Sequence, residues 1–141
     1  MAVKITKHDK IFSLLIRERT AWVCESCSKY YPQSGENGQL QCSHYVTRGR
    51  AGTRYDPNNA QAHCAGCHFD FTHYPGKHYK HYVEVFGEGM EELITLKSNQ
   101  TCKRTKVDKE DLYKHMKEQH KAMLIQRSEG VEGRIEFIGW D

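Results

Sequence analysis

The chain has 141 residues, a hydrophobic fraction of 38%, a formal net charge of +3 and six cysteines, with a mean hydropathy of -0.80. That length allows one domain or one domain with appendages, and so polar a chain builds a small apolar core that benefits from a staple such as a metal. No apolar run approaches the ~20 residues of a membrane span, and residues 1–10 lack the apolar stretch of a secretory signal, so a cytoplasmic protein is expected, with cysteines serving as metal ligands or free thiols rather than disulfides.

In chain order, Asp9–Arg19 predicts a helix capped by Asp9, with Phe12, Leu15, Ile16 and Arg19 on one face. Pro32–Gly38 reads as a loop. Leu40–Thr47 alternates as a short strand that sets Cys42, His44 and Val46 against Ser43, Tyr45 and Thr47. Arg48–Thr53 reads as a Gly-containing arginine loop. From Asn58 or Asn59 a short segment to Phe71 is predicted to be helical across a Cys-x-x-Cys pair. Pro75-Gly76 breaks the chain, and His78–Phe86 forms a helix that stops at Gly87. Glu91–Lys97 is short and helical, Lys103–Lys106 is a basic linker, and Asp108 starts a last helix through Arg127. Gly130–Gly133 is a hinge before an extended tail or strand, Arg134–Trp140.

Cys24-x-x-Cys27 and Cys64-x-x-Cys67 are each a two-thiolate knuckle. Together they supply the four tetrahedral ligands of a structural zinc site, and such a site stabilises a fold whose core is thin. Cys42 and Cys102 have no partner at ligand spacing and read as ordinary thiols. The net charge permits nucleic-acid binding without arguing for it. The basic excess, however, collects in the middle: Arg48, Arg50, Arg54, Lys77 and Lys80 stand against Asp56 and Asp70 between residues 41 and 81.

His44, then Asp56-Pro57-Asn58-Asn59-Ala60-Gln61, then Cys64-Ala65-Gly66-Cys67-His68 resembles the HNH endonuclease (ββα-metal) family in its zinc-stabilised branch. Cys42-Ser43-His44-Tyr45, the arginine loop and the upstream Phe12-Ser13, Ile16-Arg17, Cys24 and Cys27 are similar to phage recombination proteins of the NinG type. The resemblance spans roughly Asp9 to Phe86. It implies an α+β fold: a small ββα-metal core between two zinc knuckles, flanked by N- and C-terminal helices. The segments expected are an N-terminal helix (1–23), a zinc-stabilised nuclease core (24–86) and a C-terminal helical extension with an extended tail (87–141).

The resemblance also implies a metal-dependent endonuclease that hydrolyses DNA phosphodiester bonds, with branched recombination intermediates among its expected substrates. His44 would be the general base, since an ordinary imidazole accepts a proton near neutral pH. His68 would hold a catalytic Mg²⁺ or Mn²⁺ against the phosphate, and Asn59 would brace the loop that orients His44, with Asn58 as the alternative. Arg48, Arg50 and Arg54 would grip phosphates without reading sequence.

One position departs from the family pattern. Many HNH nucleases carry Asp, the second metal ligand, where this chain has Ser43; the NinG-type sequences lack it as well. Asp56, Asp70 and His73 are the candidates for a replacement ligand; Asp70 and His73 are poorly spaced from His68 on a helix, and Asp56 reads rather as the cap of the turn before Pro57. Ser43 therefore leaves a second reading open, a zinc-stabilised DNA-binding module without catalysis. A third is an assembly factor that keeps zinc for folding. The C-terminal helix and tail leave room for a homodimer.

Overall fold

The computed structural model describes residues 3–33 and 39–141, so part of the predicted Pro32–Gly38 loop lies outside the described residues. The fold is α+β, with five helices and one two-stranded antiparallel sheet among the described residues. None of these helices is long and apolar enough to cross a membrane.

Helix α1, Lys7–Arg19, starts one turn earlier than Asp9 suggests. Thr6 is the cap and Asp9 sits three residues in, where its carboxylate accepts from the Thr6 N–H at 2.7 Å. The two residues form a capping box. The expected stripe holds, since Phe12, Leu15, Ile16 and Arg19 are all buried. Past Ala21 and Trp22, both at positive φ, the chain forms the first knuckle, and Ser28 at φ 63 tightens its turn.

Strand β1, Leu40–His44, pairs with β2, Ala60–Cys64, in the register Leu40↔Cys64 to His44↔Ala60. The second strand corrects the sequence expectation. Ala60–Cys64 is not helical; the helix across the second Cys pair, α2, begins at Ala65 and ends at His73. All five residues of β2 are buried, because the strand is covered on both faces. Its residues nonetheless alternate, with Ala60, Ala62 and Cys64 turned to one face and Gln61 and His63 to the other. A 3-10 turn, Pro57–Asn59, leads into it, capped by the Asp56 side chain.

Helix α3, Pro75–Phe86, begins at the proline instead of after it. Proline suits the first helical turn, where its missing N–H has no partner to lose. Gly87, at φ 90, ends α3 as expected and also precedes α4, Glu88–Ser98. Helix α5 runs Lys106–Ser128; its cap is Thr105, paired in a second capping box with Asp108. The tail after Gly133 joins no strand or helix; Ile135 donates its N–H to the Arg19 carbonyl.

One core joins α1, both strands, α5 and the tail. Phe12, Leu15 and Ile16 of α1 meet Leu112, Met116 and Met123 of α5, Ala60 and Ala62 of β2, and Ile135 and Phe137 of the tail. Arg19 crosses this core 1% exposed. Its guanidinium donates to the carbonyls of Pro57 and Ala60 at 2.7 and 2.6 Å. Those bonds hold the 3-10 turn and the start of β2 against α1.

Candidate metal centre and histidine cleft

The two knuckles meet at one end of the sheet. Glu25 ties the first to β2: its N–H donates to the Ala62 carbonyl and its carboxylate accepts from the Ala62 N–H. The Cys64 N–H then points at the Cys24 sulfur, 3.3 Å away. As a result the ligand atoms of Cys24, Cys27, Cys64 and Cys67 all lie within 4.8 Å of one another. Four sulfurs at ~2.3 Å from a zinc ion stand ~3.8 Å apart along a tetrahedral edge. The Cys27 and Cys64 sulfurs are 3.9 Å apart. The cluster is therefore close enough to hold a metal ion, and its donors suit structural zinc. Cys42 lies outside it; burial pushes its thiol up to about 12.

A cleft of about 1130 Å³ runs along the edge of β1 that β2 does not pair, between α1 on one side and α2 with α3 on the other. His44, Ser43, Arg48, His68 and His78 all line it.

His44 ends β1. Its Nε2 lies 2.9 Å from the Arg54 carbonyl; a carbonyl only accepts, so Nε2 carries the proton and Nδ1 keeps the lone pair. Burial drives the His44 pKa down to about 4, with the Arg48 cation adding to the effect and the Arg54 carbonyl opposing it. The imidazole is thus neutral, with one nitrogen free to accept.

Asn59 is fully buried and does not reach the cleft lining. Its side-chain oxygen accepts from the Val46 N–H at 2.8 Å, and its amide donates to the Val46 and Thr53 carbonyls, both at 3.0 Å. Three hydrogen bonds from one side chain thereby pin both ends of the loop that follows His44.

His68, on the first turns of α2, donates from Nδ1 to the Gln41 side-chain oxygen at 2.7 Å, which leaves Nε2 with its lone pair. Burial lowers its pKa.

The three arginines part company. Arg48 lines the cleft, half-buried. Arg50 is exposed and outside the lining. Arg54 is committed to the fold: it grips both Asp9 oxygens, at 2.9 and 2.6 Å, and the Lys4 carbonyl. In place of Arg50 and Arg54, α1 supplies Lys10 and Arg17 to the cleft. Their i, i+7 spacing on one helix face was legible in the sequence.

The replacement ligands proposed for Ser43 are occupied or exposed. Asp56 caps the 3-10 turn and meets Lys97 at 2.6 Å. Asp70 pairs with Lys77 at 3.4 Å. His73 is exposed, stacked on Phe69. His63 sits in the buried strand rather than on a helix surface, with its Nε2 3.0 Å from that of His81. Two cleft residues carried no sequence signal, Gln41, which orients His68, and His78.

No family model, no curated protein and no solved structure matches this chain.

Proposed function

We propose that the protein is a metal-dependent endonuclease of the HNH type that hydrolyses DNA phosphodiester bonds. The observation that carries this reading is the meeting of His44 and His68 in one cation-lined cleft, each imidazole with its second nitrogen already engaged by a protein acceptor. The order β1, β2, α2 and the thiol cluster that frames it support a ββα-metal assignment.

In this mechanism Nδ1 of His44 takes the proton of the attacking water. The Arg54 carbonyl fixes the tautomer and the ring, and Asn59 fixes the loop that carries that carbonyl. Asn59 is thus a positioning residue. Nε2 of His68 would hold a divalent ion, which supplies charge relief at the phosphoryl oxygens and at the leaving 3′ oxygen. Lys10, Arg17 and Arg48 hold the phosphate backbone in the cleft. Their charge is sequence-independent in its effect, so affinity falls steeply with salt. DNA is the expected partner, with branched intermediates as one substrate class.

The test is nicking of supercoiled plasmid by zinc-loaded protein with added Mg²⁺ or Mn²⁺. His44→Ala is expected to reduce the rate by ~10²- to 10⁴-fold, the range for loss of a general base, with zinc content and melting unchanged. Nicking at the wild-type rate by that variant would remove His44 from the mechanism. Retained DNA binding without nicking by the wild type would instead favour the zinc-stabilised DNA-binding module.

A further inference from the structure

The carboxylate that commonly completes an HNH metal site is missing at Ser43, and the cleft offers no carboxylate in exchange. Among its lining residues Asp9 is the one acid, and Arg54 holds both of its oxygens. The ionisable groups that remain on the lining are the cations Lys10, Arg17 and Arg48, Cys42, Tyr45, and the imidazoles of His44, His68 and His78. Cys42 is a half-buried thiol whose pKa is pushed up by desolvation, and His44 has its role as base.

His78 stands out by a second observation. Seven buried side-chain polar atoms have no hydrogen-bond partner among the described residues, and four of them belong to Ser43, Gln61, His63 and His78. Ser43 and Gln61 are cross-strand partners, and by alternation along the strands Gln41 and His63 share their face. His78 approaches that face from α3, its ring centroid 6.1 Å from His63 and stacked 5.2 Å from Phe71, one turn along α2 from His68. The unpartnered atom of His78 is Nε2, the outer nitrogen of the ring. Of the four, Ser43 and His78 line the cleft; native folds seldom leave a buried polar atom unpartnered, so these two mark a place for a ligand or water.

We infer that His78 is the second protein ligand of the divalent ion held by His68. This inference rests on the nuclease reading. The site is then two imidazoles with the neutral Ser43 hydroxyl beside them, and it replaces the carboxylate–imidazole pair that the Ser43 position would otherwise complete. Such a donor set favours ions that accept nitrogen, Ni²⁺, Co²⁺ or Zn²⁺, over Mg²⁺, which prefers oxygen.

The experiment is calorimetric titration of Ni²⁺, and separately Mg²⁺, into the full zinc-loaded chain, with zinc content followed throughout. Wild type is expected to take one Ni²⁺ beyond the zinc and to bind Mg²⁺ far more weakly. His68→Ala and His78→Ala should each weaken Ni²⁺ binding by at least ~10-fold, as loss of a metal's protein support commonly does. His81→Ala, on the neighbouring His63 pair, should leave it within a few-fold. Because His78→Ala could loosen the Phe71 stack, ¹⁵N imidazole spectra of the wild type provide a second measurement: a second equivalent of Zn²⁺ should shift the Nε2 resonances of His68 and His78 together. Wild-type Ni²⁺ affinity in His78→Ala, with binding lost in His68→Ala and plasmid still nicked by the wild type, would overturn the assignment of His78 and leave the nuclease standing. A wild type that takes no second ion and nicks no DNA under any of these ions would overturn both.

Discussion

The two faces of the sheet are built on opposite principles. Toward α1 it presents Leu40, Cys42, Ala60, Ala62 and Cys64, which join a continuous apolar core. Toward α2 and α3 it presents Gln41, Ser43, Gln61 and His63, which meet His68, Phe71, His78 and His81. Among the described residues the strands leave no side-chain N or O atom unpartnered on the first face, where the unpartnered atom is Arg19 Nε of α1, whereas the second face leaves three on the strands alone. An unsatisfied buried polar atom costs ~1–3 kcal/mol. A sheet of ten residues in two strands therefore separates an apolar face from a polar one by side-chain parity. His44 ends the apolar side, 5.7 Å by ring centroid from Phe12, and reaches the cleft because β1 has a free edge there.

This contrast can be broken at its strongest point by Cys64→Ser, which removes a thiolate from the cluster shared by both faces. Structural zinc in small domains contributes ~10–16 kcal/mol, as much as the whole net stability of a domain. Circular dichroism and elemental analysis should show loss of both fold and zinc; a folded, zinc-free variant would deny the cluster its structural role. On the apolar face, Leu15→Ala should cost ~2–5 kcal/mol in urea unfolding with zinc retained and the plasmid still nicked at the temperature where the variant is folded.

Acid should strain the molecule through the neutral, buried histidines. His44 has an ordinary value of 6.5 and about 4 in the fold. Between those values the unfolded chain binds the proton and the folded chain does not. Its contribution is thus fully present above the unfolded pKa and is lost as pH falls toward the folded one. Unfolding free energies of wild type and His44→Asn, compared at pH 7 and pH 5, should show a smaller acid loss in the variant; equal losses would mean that His44 titrates normally. The smallest effect is expected on the polar face: Ser43→Ala removes an unpartnered hydroxyl and should be neutral or stabilising by up to ~1 kcal/mol. A loss above that would reveal a partner for Ser43.

Much of the scaffold was legible in the sequence, for local reasons. The α1 stripe, the Gly87 stop and both knuckles follow from periodicity, backbone freedom and ligand spacing. The Thr6/Asp9 and Thr105/Asp108 boxes are equally legible, but from the sequence alone Asp9 reads as the cap and Asp108 as the first residue of its helix, whereas the threonine three residues earlier is the cap in both. Ala60–Cys64 alternates apolar and polar residues over only five positions, while its Ala and Gln suit helices, so its residues alone favour the helix. Tertiary pairing with β1 decided it. The same limit applied to the cleft. Order along the chain singles out His44 and His68, which the fold sets on one cleft, yet the binding of Arg54 to Asp9 and the approach of His78 to the sheet are long-range events without local pattern.

Cys67 and His68 are consecutive, so one peptide link separates a sulfur of the thiol cluster from an imidazole of the cleft. Larger proteins place layers of packed side chains between scaffold and working group, and those layers absorb small displacements. Here the interval is covalent. With a metal seated on the thiols, the position of His68 is referenced to a metal–sulfur bond length, a far stiffer ruler than van der Waals packing. The mechanical tolerance of the cleft is then set by coordination chemistry at its end rather than by the size of the core beneath it.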